Sequence, residues 1–93
     1  MIQVRLFATF RLLAGIKSLE LDLPPGSTIQ DAVWEVVKRH PVLRPHWLDE
    51  DGELHAHVHI LLGGEDVMTL PDALLTTLPT DAGLDFFPPV AGG

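Results

Sequence analysis

The residues best suited to chemistry stand together at the end of the 93-residue chain, in the stretch "LDFFPPVAGG". A carboxylate on Gly93 becomes an acyl donor once an enzyme adenylates it, and that step requires the segment bearing it to thread into an active site. Gly92 and Gly93 have no Cβ to block such a passage, and their backbone can be gripped closely. Pro88 and Pro89 stiffen what precedes the tip, which lowers the entropy lost when a partner orders it. With glycine at about 7 % of residues, a Gly-Gly end arises by chance in about 0.5 % of chains, so composition alone explains it poorly.

Other groups offer less. His55, His57 and His59 alternate in "LHAHVHILL", so on one strand face two imidazoles would stand within reach of a metal. The competing reading is a solvated polar face, since no carboxylate stands beside them to orient the rings, and no metal site is expected. The same three rings could instead form a pH-sensitive, partner-facing surface. Asp49, Glu50, Asp51 and Glu53 read as a solvated loop, and Glu65 and Asp66 as turn residues. No Ser/His/Asp constellation or phosphate-cradling glycine loop is present, and the absence of cysteine removes thiolate ligands and thiol nucleophiles. The chain is therefore not expected to be a catalyst.

Several elements must position the tail. Residues 2 to 9 alternate, with Ile2, Val4, Leu6 and Ala8 on one face and Gln3, Arg5, Phe7 and Thr9 on the other, as in a half-buried strand. Leu19, Leu21 and Leu23 alternate likewise, so the two runs predict an antiparallel hairpin with a long connection. Ser27 and Gln30 have capping-box spacing, and either Ser27 or Thr28 can cap a helix beginning near Ile29. Its apolar stripe is Ile29, Ala32, Val33, Val36 and Val37, with Trp34 at the margin, and Pro41 ends it. Residues 41 to 53 predict a loop with one helical turn around Trp47 and Leu48. A strand over "LHAHVHILL" would face Ala56, Val58, Ile60 and Leu62 one way and the histidines the other. Gly63 and Gly64 turn the chain into a short strand "EDVMTL", and Leu74, Leu75 and Leu78 are expected to plug the core. Leu84 to Phe87 form the last strand, which Pro88 stops. Phe7 points away from the helix, either as an ordinary exposed aromatic or, with Phe86 or Phe87, as part of a partner-binding patch.

The length suits one domain over residues 1–93, burying roughly 60 to 65 % of the surface its unfolded chain exposes. Thirteen acidic and six basic residues give a formal charge of −7, which argues against nucleic acid and favours protein partners with basic surfaces. No apolar run reaches the roughly 18 residues of a membrane span and no signal peptide is visible, so a cytoplasmic protein is expected.

"SLELDLPPGSTIQDAVWEVV" resembles the opening of ubiquitin-like β-grasp domains. With "VRLFATFRLLAG" and "FPPVAGG", the whole chain is similar to the MoaD/ThiS family of sulfur carriers. The resemblance implies an α+β fold, a mixed four- to five-stranded sheet crossed by one main helix, with the last strand beside the first and residues 88–93 projecting. It implies a carrier with no bound cofactor. An adenylating enzyme related to the ubiquitin-activating enzymes would use ATP and a sulfur donor to convert Gly93 to a thiocarboxylate. Gly92, Ala91, Val90, Pro89, Pro88 and Phe87 would lie in the partner's channel. "FPPV" is closest to the small subunit of molybdopterin synthase, whose acceptor is the large catalytic subunit. "GELHAHVHILLGGEDV" also resembles carriers that serve a pyridoxal-phosphate enzyme of cysteine synthesis. Thiamine synthesis, tRNA thiolation and conjugation to protein lysines are further outlets for an activated Gly93.

Overall fold

Alternation along the first residues does what its period predicts: Ile2, Val4 and Leu6 are buried while Gln3 and Arg5 are exposed. The structure is a computed structural model and describes residues 1–89. Strand β1, Ile2–Leu6, is followed by helix α1, Ala8–Ala14, then β2, Ser18–Leu21, and the long helix α2, Ile29–Arg39. After a 3₁₀ turn at Pro41–Leu43 comes one helical turn, α3, Arg44–Trp47. Strands β3, His59–Leu62, and β4, Glu65–Asp66, form a hairpin, and β5, Gly83–Phe87, closes the order.

The five strands lie in one sheet, in the order β2-β1-β5-β3-β4. Strand β5 runs parallel to β1 and antiparallel to β3, so the last strand occupies the middle, as a β-grasp requires. The hairpin between β3 and β4 turns on Gly63 and Gly64, whose φ values of 56° and 89° suit a type I′ turn and are costly for residues with a Cβ.

Helix α2 forms where expected, and Ile29, Ala32, Val33, Val36 and Val37 are all buried. Its cap is Thr28, not Ser27: Thr28 Oγ1 accepts from the Asp31 amide at 3.2 Å, and Asp31 Oδ2 accepts from the Thr28 amide at 2.9 Å. The box therefore sits one residue later than the Ser27/Gln30 spacing suggests, and Ser27 Oγ donates instead to the Pro24 carbonyl at 2.7 Å.

The expected strand over residues 2–9 stops at Leu6. Ala8 takes a left-handed φ of 51°, the chain leaves the sheet, and the connection to β2 becomes α1, which drives Phe10 into the core. Only the second half of "LHAHVHILL" is strand, because residues 55–58 form an irregular turn that leaves Ala56 exposed and brings Val58 inside. "EDVMTL" pairs over two residues and then coils into a 3₁₀ turn at Val67–Thr69, capped by Asp66. Of the leucines expected to plug the core, Leu78 is buried and Leu74 partly so, but Leu75 is 65 % exposed. Asp49 is more than a solvated acid. Its Oδ1 accepts from the amides of Asp51 at 2.8 Å and Glu53 at 3.0 Å and so shapes the acidic loop.

Trp47 supplies a part of the core that the irregular 41–53 stretch does not advertise. It is fully buried, stacked on Phe86 with ring centroids 4.3 Å apart and planes 9° from parallel, and its ring meets Phe10 edge-to-face at 5.5 Å. The indole Nε1 has no hydrogen-bond partner among the described residues, so packing rather than polarity holds Trp47 in place. No helix among the described residues is long and apolar enough to cross a membrane.

Replacing Trp47 by Ala should cost about 3–5 kcal/mol in urea unfolding, and Trp47→Phe less than half of that, since no hydrogen bond is lost with the indole. Thr28→Ala should cost about 1 kcal/mol by loss of the cap.

Candidate functional site

The two neighbouring phenylalanines of β5 point to opposite faces of the sheet. Phe86 faces down onto Trp47, and Phe87 faces up, where it stacks on Phe7 with centroids 4.3 Å apart and planes 13° from parallel. Phe7 is the residue between β1 and α1. Its amide donates to the Phe86 carbonyl at 3.2 Å and its carbonyl accepts from the Phe10 amide at 3.1 Å. The left-handed Ala8 that follows turns the chain sharply enough to keep Phe7 on the open face while Phe10 enters the core. Such a conformation costs an alanine about 1–2 kcal/mol, which the surrounding contacts must offset.

Two residues earlier on each chain segment, Arg5 and Asp85 face each other across the parallel β1–β5 ladder. The guanidinium grips the carboxylate at both ends, Nε to Oδ1 at 2.7 Å and the second nitrogen to Oδ2 at 2.8 Å. Hydrogen bonding to Asp85, and then its charge, raises the Arg5 pKa above the ordinary guanidinium value, so Arg5 stays charged wherever the fold survives. The Cζ atoms of Arg5 and Arg11 both lie 5.9 Å from the centre of the Phe7 ring.

The sequence-based expectations divide here. Phe7 and Phe87 come together, and Phe86, the other aromatic considered for the patch, is instead a core residue. Pro88, half-buried, and Pro89, exposed, follow directly on the stack. Val90, Ala91, Gly92 and Gly93 lie outside the described residues. The three histidines do not share a strand face. His55 and His57 stack on each other at 4.9 Å within the turn, while His59 alone is on β3, opposite Phe87. Among the described residues no group of three His, Cys, Asp or Glu side chains could hold a metal.

Arg5, Asp85, Arg11 and Lys17 join the site without having been singled out from the sequence. The legible trace is a matched spacing, Arg5-x-Phe7 running off the end of β1 and Asp85-x-Phe87 on β5, which in-register parallel pairing converts into cation on anion and ring on ring.

The sequence profile of the ThiS family matches residues 4–93. The chain belongs to the ThiS family. Small archaeal modifier protein 3 of Haloferax volcanii is 36 % identical over 92 residues, covering 99 % of this chain and 98 % of that one. The crystal structure of SAMP1 from Haloferax volcanii superposes with a TM-score of 0.88 at 33 % identity, covering 99 % of this chain and 98 % of that chain. A putative molybdopterin converting factor, subunit 1, from Pyrococcus furiosus superposes at 0.74 with 31 % identity, covering 96 % and 97 % respectively. The β-grasp of this ThiS-family chain is thus shared with ubiquitin-like carriers and modifiers over its whole length.

In this ThiS-family fold the Phe7–Phe87 contact should register in a double-mutant cycle. Phe7→Ala, Phe87→Ala and the double variant, compared by urea unfolding, should show a coupling of about 0.5–1.5 kcal/mol, and strict additivity would mean that the rings do not interact.

Proposed function

We propose that this chain is a sulfur carrier whose Gly93 carboxylate is adenylated by an ATP-dependent activating enzyme and converted to a thiocarboxylate. The observation that carries the proposal is the end of β5. The central strand finishes on Phe87, pinned by Phe7, and passes into two prolines that donate no backbone hydrogen bonds, so residues 90–93 follow on an aromatic corner already held open to a partner. In this reading Pro88 to Gly92 occupy the partner's channel, and Phe7 and Phe87 are the contacts at its mouth. The carrier performs no catalysis and binds no cofactor, since ATP and the sulfur donor belong to the activating enzyme.

The carboxylate oxygen attacks the α-phosphate of ATP and pyrophosphate leaves. A sulfur nucleophile then displaces AMP from the acyl carbon, which leaves the C-terminal thiocarboxylate. For the acceptor we favour the large subunit of molybdopterin synthase, on the likeness of "FFPPV" and of the Pyrococcus furiosus protein. The relatives described as modifiers favour a second reading, in which the activated Gly93 is transferred to a lysine of another protein.

Intact-mass measurement after incubation with the activating enzyme, ATP and a sulfur donor should show one oxygen exchanged for sulfur. Deletion of Gly93 should abolish the exchange and leave the unfolding midpoint unchanged, because no core residue is touched. If wild-type carrier never changes mass, the proposal fails. Protein conjugation would appear as a branch on acceptor lysines. Arg44 precedes Pro45, which blocks trypsin there, so trypsin would leave residues 40–93 as the branch, whereas cleavage after Phe86 would leave the compact remnant FPPVAGG.

A further inference from the structure

Helix α2 buries one stripe against the sheet, and its outer side lines a broad groove of about 810 Å³. Leu23 and Pro24 reach this groove from the segment before α2, Pro41 from the turn after it, and Trp34, 38 % exposed, from the helix itself. The indole is backed by Gly52, where an added Cβ would come within 3.0 Å of it, and the Arg44 Cζ lies 5.3 Å from its centre. Four charged side chains line the groove, and its two acids are already engaged. Asp31 Oδ2 accepts from the Thr28 amide at 2.9 Å, and Glu35 Oε2 accepts from Arg39 Nε at 2.9 Å. The two cations, Lys38 and Arg44, are exposed and form no ion pair among the described residues. The groove therefore offers an apolar bed around Trp34 and two uncommitted positive charges.

We propose that this groove takes the C-terminal segment of a second copy of the chain, with the prolines and Val90 against Pro24 and Trp34 and the Gly93 carboxylate between Lys38 and Arg44. The inference rests on the carrier reading above in taking the Gly93 carboxylate as free, and deepens it by giving the unengaged segment a place. "PPVAGG" has no charged side chain and a single anion at its end, which is the pattern the groove complements. Prolines hold a chain extended, and aromatic-lined grooves take such segments at low ordering cost. Lengths agree as well: Asp31 to Lys38 rises about 11 Å along α2, and residues 90–93 span about 13 Å when extended. A copy's own segment starts on the wrong side. Phe87 stacks on the face of the sheet away from Trp47, whereas α2 packs on the Trp47 side, so sheet and helix stand between Phe87 and the groove. One groove and one C-terminal segment per copy make the contact heterologous, and copies join head to tail. A thiocarboxylate keeps the negative charge of the carboxylate, so a sulfur-loaded end fits the same two cations.

Sedimentation equilibrium of the full chain should show an average mass that rises over a roughly hundredfold increase in concentration and rises less at high salt. Lys38→Glu/Arg44→Glu and a chain ending at Pro89 should each stay monomeric. Mixed in equal amounts, the two should form a 1:1 pair that grows no further, because one supplies only the C-terminal segment and the other only the groove. The peptide PPVAGG, titrated into the chain ending at Pro89, should shift NMR signals of residues 23–44 and the Trp34 indole, and its C-terminal amide should bind roughly tenfold more weakly. A wild-type chain that stays monomeric throughout, variants that associate as wild type does, or acid and amide peptides that bind alike would each overturn the proposal. These measurements need no activating enzyme. The carrier reading falls on a wild-type mass that never changes, the docked segment on sedimentation and titration, so the two failures are told apart.

Discussion

Everything about the proposed site depends on the register between β1 and β5. In the parallel ladder Arg5 pairs with Asp85 and Leu6 with Phe86, which leaves Phe7 to stack on Phe87. A slip of one residue would exchange the faces of Arg5 and Leu6 relative to β5 and put a charge against the core. A slip of two would keep the faces but set the guanidinium against Phe87 or Gly83, according to its direction, and strand the Asp85 carboxylate. The salt bridge and the aromatic stack are therefore one constraint expressed twice, and together they exclude the neighbouring alignments.

Beneath the sheet the same strand is held from the other side. Phe86 lies on Trp47 at the spacing at which Phe87 lies on Phe7, 4.3 Å in both cases. Trp47 is braced in turn by Phe10 from α1, the helix that begins one residue after Phe7. A closed circuit results, from Phe7 to Phe87 above the sheet and from Phe86 through Trp47 to Phe10 below it. The end of the central strand is clamped on both faces just before Pro88, so that the chain leaves the sheet from a rigid point. The cost of ordering this strand end is met within the fold itself.

Charge adds a second level of organisation. Cations form a minority in the sequence, and placing half of them around one aromatic corner gives an acidic protein a face of opposite sign. The family's modifiers and carriers share this fold over nearly their full length, so the fold by itself does not separate them.

Periodicity in the string was enough for the elements that bury a regular stripe: β1 through Ile2, Val4 and Leu6, α2 through its five apolar residues, and the central place of β5 through the family likeness. It failed where regular alternation was accidental, at Ala8 and in the His55–Val58 turn, because period two is necessary for a strand but does not provide a neighbouring strand to pair with. Trp47 was invisible as a core residue since the short turn bearing it has too few residues to show a period. The grip of Arg5 on Asp85 joins residues 80 positions apart, and the gathering of Arg11 and Lys17 beside them needs a helix no pattern announced. Local sequence specifies which face a side chain takes, but which distant side chain meets it there is settled by strand order and register, which are properties of the assembled sheet.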